Sequence, residues 1–350
     1  MGGGCASFAR NMSQDEILLE EFADAGEAGG IRPRLGRFEH PDVTADGEPR
    51  ASVALERLET LWINTGTLCN IECANCYIES SPSNDRLVYI SAAEVSAYLD
   101  EIEGLGLGTR EIAFTGGEPF MNPEMVAMAR DALERSFEVL ILTNAMRPMQ
   151  RKAVSQGLLE LLEAHGERLT LRVSIDHYTK ELHETERGPN SWSPTIEGLD
   201  WLAQNGFRLA LAGRTCWGET ESQARTGYRR LIAERGWPID ADDDWQLVLF
   251  PEMDESADVP EITTHCWDLF GVRPQDMMCA SSRMVVKRKG AARPSVLPCT
   301  LLPYDAGFEM GETLAASARA DGEMFNSGAV KLCHPHCAKF CVLGGGACSA

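Results

Sequence analysis

Between residues 58 and 251 the chain alternates short apolar runs with amphipathic stretches, and that alternation restricts it to very few folds. Strands are expected at 60–64, 111–115, 138–143, 170–175, 208–213 and 246–250, each rich in apolar residues and bounded by polar or glycine positions. Helical patterns fall between them at 92–103, 123–135, 151–164, 195–205 and 221–235. Such a run specifies a parallel sheet with right-handed crossovers. Six strands suit a partial (β/α)6 TIM-like barrel of the α/β class, in which chemistry belongs at the C-terminal ends of the strands. Of the 350 residues this leaves 1–57, read as one short helix at 14–25 and an extended arm, and a cysteine-rich region at 252–350.

The segments after the strands carry the distinctive residues. After the first comes LCNIECANCY, residues 68–77, with Cys69, Cys73 and Cys76 in a C-x3-C-x2-C spacing closed by Tyr77. Thiolates select iron–sulfur clusters and zinc. A closed structural zinc site takes four ligands, so three leave a position for another molecule unless a distant residue supplies the fourth. After the second strand comes Gly116-Gly117-Glu118-Pro119. Glycines let backbone approach a ligand closely, and the carboxylate can accept from an ammonium. The alternative is a plain glycine turn with a solvated glutamate. Thr143-Asn144 and Ser174-Ile175-Asp176 end the third and fourth strands with small groups suited to a ribose or a carboxylate. His183 and Arg187 follow in an H-x3-RG run, and a guanidinium fork suits a carboxylate. His183 reads as a residue holding the loop, and Arg214 as half of a surface ion pair.

Beyond residue 251 the alternation stops and cysteines accumulate: Cys266, Cys279, Cys299, Cys333, Cys337, Cys341 and Cys348. The stretch between Cys279 and Cys299 reads as a hairpin with Gly290 near its turn, and 311–320 as a short helix. Clustered cysteines in a chain without a secretory signal read as metal or redox ligands in a reducing cytoplasm.

Cys69, Cys73, Cys76 and Tyr77, with Gly116-Gly117-Glu118 downstream, resemble the signature of the radical S-adenosylmethionine (SAM) superfamily. In that family three cysteines hold three irons of a [4Fe–4S] cluster and the fourth iron chelates SAM. An electron from the cluster then releases a 5′-deoxyadenosyl radical, which abstracts hydrogen. The resemblance implies the same partial barrel, and SAM contacts from Tyr77, Gly116, Gly117, Glu118, Asn144, Ser174 and Arg187, with Asp176 facing SAM or substrate. Glu118 would take the SAM amino group and Arg187 its carboxylate. The late cysteines resemble the C-terminal extension called SPASM, or its shorter form twitch, which holds one or two auxiliary [4Fe–4S] clusters. Two such clusters need about eight ligands. Six are present here, seven with Cys266, so one auxiliary cluster is expected, with Cys279 and Cys299 as its first pair. Which of Cys333, Cys337, Cys341 and Cys348 complete it stays open. A zinc site using His334 or His336 beside Cys333 and Cys337 is the alternative.

The expected reaction is an oxidation. The radical would take hydrogen from an unactivated carbon of a small molecule, and the auxiliary cluster would take the surplus electron. The absence of an N-terminal domain large enough to grip a leader peptide favours a small molecule over a ribosomal peptide or protein side chain. A zinc- or cluster-binding scaffold without catalysis is the reading from another class. The implied partner is an electron donor such as flavodoxin or ferredoxin. With 32 basic and 53 acidic residues the formal charge is −21, which argues against nucleic acid and against docking on an anionic membrane. No long apolar run is present, so no transmembrane helix is expected.

Overall fold

The computed structural model describes residues 35–251 and 258–343; the helix expected at 14–25 and Cys348 lie outside them. One sheet organises these residues. Its strands are β1 (Thr60–Asn64), β2 (Glu111–Thr115), β3 (Glu138–Thr143), β4 (Leu169–Ser174), β5 (Arg208–Arg214), β6 (Leu247–Phe250), β7 (Ser282–Val286) and β8 (Ser295–Leu297). They lie in the spatial order β6-β5-β4-β3-β2-β1-β7-β8. Every neighbouring pair is parallel except β7 and β8. All five residues of β1, TLWIN, are buried. A strand covered on both faces needs such an unbroken run, because helices pack on the outside and side chains fill the inside.

The crossover helices are α1 (Ala92–Leu105), α2 (Met125–Glu134), α3 (Lys152–His165), α5 (Trp192–Gln204) and α6 (Glu221–Arg235), with a short helix α4 (Lys180–Arg187) between β4 and α5. Ser91 starts α1 with a capping box, its hydroxyl on the Glu94 amide and the Glu94 carboxylate on the Ser91 amide. The buried side chains of α1 are Val95, Tyr98, Leu99 and Ile102, one stripe at helical spacing. Burying each apolar side chain of this kind contributes about 1.5–3 kcal/mol. Helix α4 was not expected. Its sequence, KELHETER, has no apolar stripe, and its two buried residues are His183 and Glu186.

The hairpin expected between Cys279 and Cys299 forms as β7 and β8. It continues the barrel sheet, with Met284 and Ala113 on either side of Trp62. A boundary at residue 251 therefore divides the chain without dividing the sheet. The described part of the N-terminal arm is sewn to the C-terminal region. Ser52–Val53 pairs antiparallel with Ala329–Lys331. Arg50 and Glu261 form an ion pair at 2.5 Å with side chains 1% and 6% exposed. Arg50 also donates to the carbonyls of His40 and Val43, each at 3.0 Å. The Phe250 ring stacks on Phe340 at 6.0 Å between centroids, tying the end of β6 to the last helical turn. Among the described residues no helix is long and apolar enough to cross a membrane.

Candidate active site

The segments after β1 to β6 all reach one cavity of about 1080 Å³, open mouth included. Its wall takes Cys69, Cys73, Cys76 and Tyr77 from the loop after β1, Gly116 and Gly117 after β2, and Thr143 and Asn144 after β3. Ser174 and Asp176 come from β4, Arg187 from α4, Arg214 from β5 and Phe250 from β6, and Thr300, Leu301 and Phe340 of the C-terminal region face them. The sequence-expected residues thus converge, with one exception described below.

The cysteine loop is held at several points. The Cys69 amide donates to Ser81 O at 3.0 Å, and the Ser80 amide donates to Cys76 Sγ at 3.4 Å. Asn144 Nδ2 donates to Asn70 Oδ1 at 2.9 Å and lies 3.9 Å from Cys69 Sγ. Between the second and third cysteines the fixings are denser. Glu186 accepts from the Asn75 amide at 2.9 Å and from Asn75 Nδ2 at 2.8 Å, and its carbonyl accepts from the Ala74 amide at 2.7 Å. Arg214 Nη2 donates to Asn75 O at 3.0 Å. Neither Glu186 nor this use of Arg214 was expected from the sequence. Burial pushes the Cys69 thiol up to about 12 and the Cys73 thiol up to about 11, with Arg187 pulling both back. A bound metal centre reverses that balance, since a coordinating thiol is deprotonated outright.

The two glycines are required by close packing. Gly116 has φ +144°, and a Cβ there would lie 2.5 Å from Gly66 O; at Gly117 it would lie 2.2 Å from Leu68 O. Bare backbone therefore faces the cavity, anchored by Gly117 N to Gly66 O at 2.8 Å and Glu118 N to Leu68 O at 3.1 Å. Glu118 is the exception to the convergence: it is 2% exposed and lies behind the cavity wall. Its carboxylate accepts from Thr143 Oγ1 at 2.8 Å, the Asn144 amide at 2.8 Å and the Phe120 amide at 3.2 Å. Burial raises its pKa to about 7, against the pull of those donors. In this arrangement Glu118 braces the end of β2 against the end of β3.

At the opposite wall Asp176 meets two guanidinium groups. Arg187 donates through Nε at 2.5 Å and Nη2 at 3.3 Å, and Arg214 Nε lies 3.4 Å away. Burial opposes ionisation of Asp176, but Arg187 and Arg214 outweigh it and hold the carboxyl below its usual range. Arg214 is no surface pair: its side chain is 12% exposed, and its Nη1 is buried without a hydrogen-bond partner. His183 is fully buried, edge-on to Trp192 at 5.3 Å, with neither ring nitrogen hydrogen-bonded. Burial lowers its pKa to about 4, so it packs as a neutral ring.

A second group of thiols lies beneath the C-terminal wall. Cys279, Cys299, Cys337 and Cys341 line one apolar cavity with Leu301, Leu302 and His336. Cys337 and Cys341 share a π-helical turn, Cys337–Val342, a form frequent at functional sites. Cys333 turns away, its Sγ 3.3 Å from both Phe38 O and His40 O. No described cysteine is in a disulfide. No three His, Cys, Asp or Glu side chains among the described residues are arranged to hold a single metal ion. That includes both thiol groups, which surround space instead of converging on a point.

Residues 63–221 match the model of the radical SAM superfamily. That segment of the chain is a radical SAM domain. The radical SAM match covers the strand ends that build the cavity, from the cysteine loop to Arg214. The chain is 30% identical over 145 residues to the antilisterial bacteriocin subtilosin biosynthesis protein AlbA of Bacillus subtilis (strain 168), covering 41% of this chain and 30% of that one. It is 27% identical over 188 residues to the AdoMet-dependent heme synthase of Oleidesulfovibrio alaskensis, covering 53% of this chain and 44% of that one. In each case the aligned region spans less than half of the relative. Among solved structures, Streptococcus suis SuiB bound to S-adenosylmethionine superposes with a TM-score of 0.55 at 12% identity, over 88% of this chain and 76% of SuiB. That likeness establishes the fold. The residues present also fit the superfamily's cofactors: three thiols on one loop, with the backbone of Gly116 and Gly117, packed too closely on that loop to carry a side chain, on the same cavity wall.

Proposed function

We propose that this radical SAM enzyme modifies a peptide or protein side chain, with a second, auxiliary [4Fe–4S] cluster on Cys279, Cys299, Cys337 and Cys341. The observation that carries this reading is the pair of thiol groups. Three thiols line the barrel cavity, and Leu301, which faces that cavity, also borders the four-thiol site. When bound, the cluster on Cys69, Cys73 and Cys76 and its SAM would supply a 5′-deoxyadenosyl radical for hydrogen abstraction. The chain's own residues bind and orient. Gly116 and Gly117 offer backbone to the SAM methionyl moiety, and Asn144, Ser174 and Arg187 offer polar groups from the strand ends and α4. Asp176 sets the Arg187 fork by pairing with it. Phe250, Leu301 and Phe340 give the substrate side an apolar wall that keeps water away. An auxiliary cluster held by Cys279, Cys299, Cys337 and Cys341 beyond that wall would supply an acceptor for the surplus electron of an oxidation.

The subtilosin biosynthesis protein among the relatives supports a peptide substrate, as does a structure of SuiB bound to precursor peptide SuiA. The heme synthases among the relatives keep a small-molecule substrate as the second reading. Incubating the enzyme, SAM and reductant with every short peptide that sequencing finds encoded beside the gene, and with a small-metabolite pool, separates the two. A two-hydrogen mass loss in one of them supports a peptide. Turnover of a small metabolite with every peptide unchanged overturns it.

The ligand set has its own test. Cys337→Ala should lose about four irons per chain and Cys333→Ala none, since a [4Fe–4S] cluster stands or falls as a unit. Iron and sulfide analysis after anaerobic reconstitution reads this directly. Iron loss in Cys333→Ala with full loading in Cys337→Ala would move the cluster to the other cysteine.

A further inference from the structure

Arg283 lies on β7, in the middle of the sheet, and its side chain is fully buried. Burying a guanidinium away from water is costly unless an anion and hydrogen bonds compensate it. The hydrogen bonds are partial. Nη1 donates to Cys279 O at 2.7 Å and Ser282 O at 2.8 Å, Nη2 reaches Gly328 O at 3.5 Å, and Nε has no partner. Every acceptor is a neutral carbonyl, and among the described residues Arg283 takes part in no carboxylate ion pair. Through its bond to the Cys279 carbonyl the guanidinium is held next to the auxiliary cavity, where Cys279 and Cys299, two of the four thiols around it, become anions only when they bind a metal centre. A charge placed so deep, with carbonyls holding it still, needs a permanent anion beside it.

We propose that Arg283 is the built-in counter-ion of the auxiliary cluster and raises that cluster's reduction potential. The proposal rests on the auxiliary-cluster reading above. Four thiolates outweigh the positive core they bind, so the assembly is anionic when oxidised and more so when reduced. A fixed cation beside it stabilises the reduced form more than the oxidised one. Net charge, hydrogen bonding and solvent exposure are the levers that set such potentials. Here the cavity lining is mostly apolar and Arg283 itself is fully buried, which leaves the guanidinium charge largely unscreened. A cluster tuned upward in this way accepts an electron from a substrate radical more readily. The residue positions charge; it does not touch the reacting atoms.

The test is a potentiometric titration of the full-length, anaerobically reconstituted enzyme, followed by electron paramagnetic resonance, with iron and sulfide counted beforehand. In Arg283→Met the auxiliary signal should become harder to reduce by about tenfold or more at a fixed potential, which is 59 mV for one electron. Arg283→Lys, which keeps the charge, should stay close to wild type. The signal of the cluster on Cys69, Cys73 and Cys76 serves as the internal control and should not move. An auxiliary potential unchanged in Arg283→Met overturns the proposal. If Arg283→Met fails to assemble the second cluster, assembly in Arg283→Lys supports the charge role. Failure in both variants overturns it in favour of packing. A wild-type protein that holds no second cluster, or zinc in its place, defeats the underlying reading, an outcome seen in the iron count before any titration.

Discussion

Replacing Cys73 with Ala should reduce 5′-deoxyadenosine formation to the level of a protein-free control and remove about four irons per chain, while the proposed cluster at the four-thiol site should keep its own. Cys73 is the middle ligand of the loop, and no neighbour can substitute for it: among the described cysteines, the others on the cavity wall are Cys69 and Cys76, both already committed. Two remaining thiols leave the cluster without the three protein ligands that would define its open position. Anaerobic reconstitution, iron analysis and chromatography of the reaction mixture with SAM and dithionite check both halves. Substantial deoxyadenosine from the variant would mean that the radical chemistry, if present, uses other ligands.

The second large effect is on the cradle. Gly117→Ala places a Cβ 2.2 Å from Leu68 O, 2.6 Å from Leu68 C and 2.8 Å from Thr67 O. These are backbone atoms of the cysteine loop, so no rotamer relieves the clash and the loops after β1 and β2 must separate. Steric conflicts of this kind cost about 3 kcal/mol. For a chain of 350 residues that lowers Tm by roughly 1–2 °C per kcal/mol. Iron loading should fall with it, because the displaced backbone is the loop carrying Cys69. Gly104→Ala is the control. A Cβ there meets nothing within 4 Å, and in the last turn of α1 it should leave the enzyme unchanged or up to about 1 kcal/mol more stable. Differential scanning calorimetry on the two variants, with iron counts, separates the clash from a general intolerance of alanine.

The barrel was legible because parallel strands buried on both faces must be continuous apolar runs, and β1 to β6 fall where such runs lie. Ends shifted by a residue or so, as at β4, where Leu169 joins and Ile175 drops out. Two features stayed hidden for physical reasons. Helix α4 is charged along its length, so periodicity carries no signal for it. Glu186 and Arg214 are residue types that ordinarily face water, and their common partner, Asn75, lies 111 and 139 positions away in the chain. Only the folded sheet brings them to the cysteine loop.

The same limit applied to the late cysteines. Spacing placed Cys333 and Cys337 on equal terms. The fold separates them, since the arm residues Phe38 and His40 lie against one and the four-thiol cavity opens onto the other. The Gly116-Gly117-Glu118 motif was found by its composition. Its division of labour was not legible: two glycines at the cavity surface and the carboxylate behind them. Strand pairing was equally silent on β7, whose apolar run has only the five-residue helix Cys266–Phe270 before it to announce a parallel strand.

The most direct test is made on the wild-type protein, reconstituted without oxygen and given SAM and a strong reductant. The account predicts about eight irons per chain, two [4Fe–4S] signals and formation of 5′-deoxyadenosine. Iron bound without any deoxyadenosine, across reductants and candidate substrates, would contradict it.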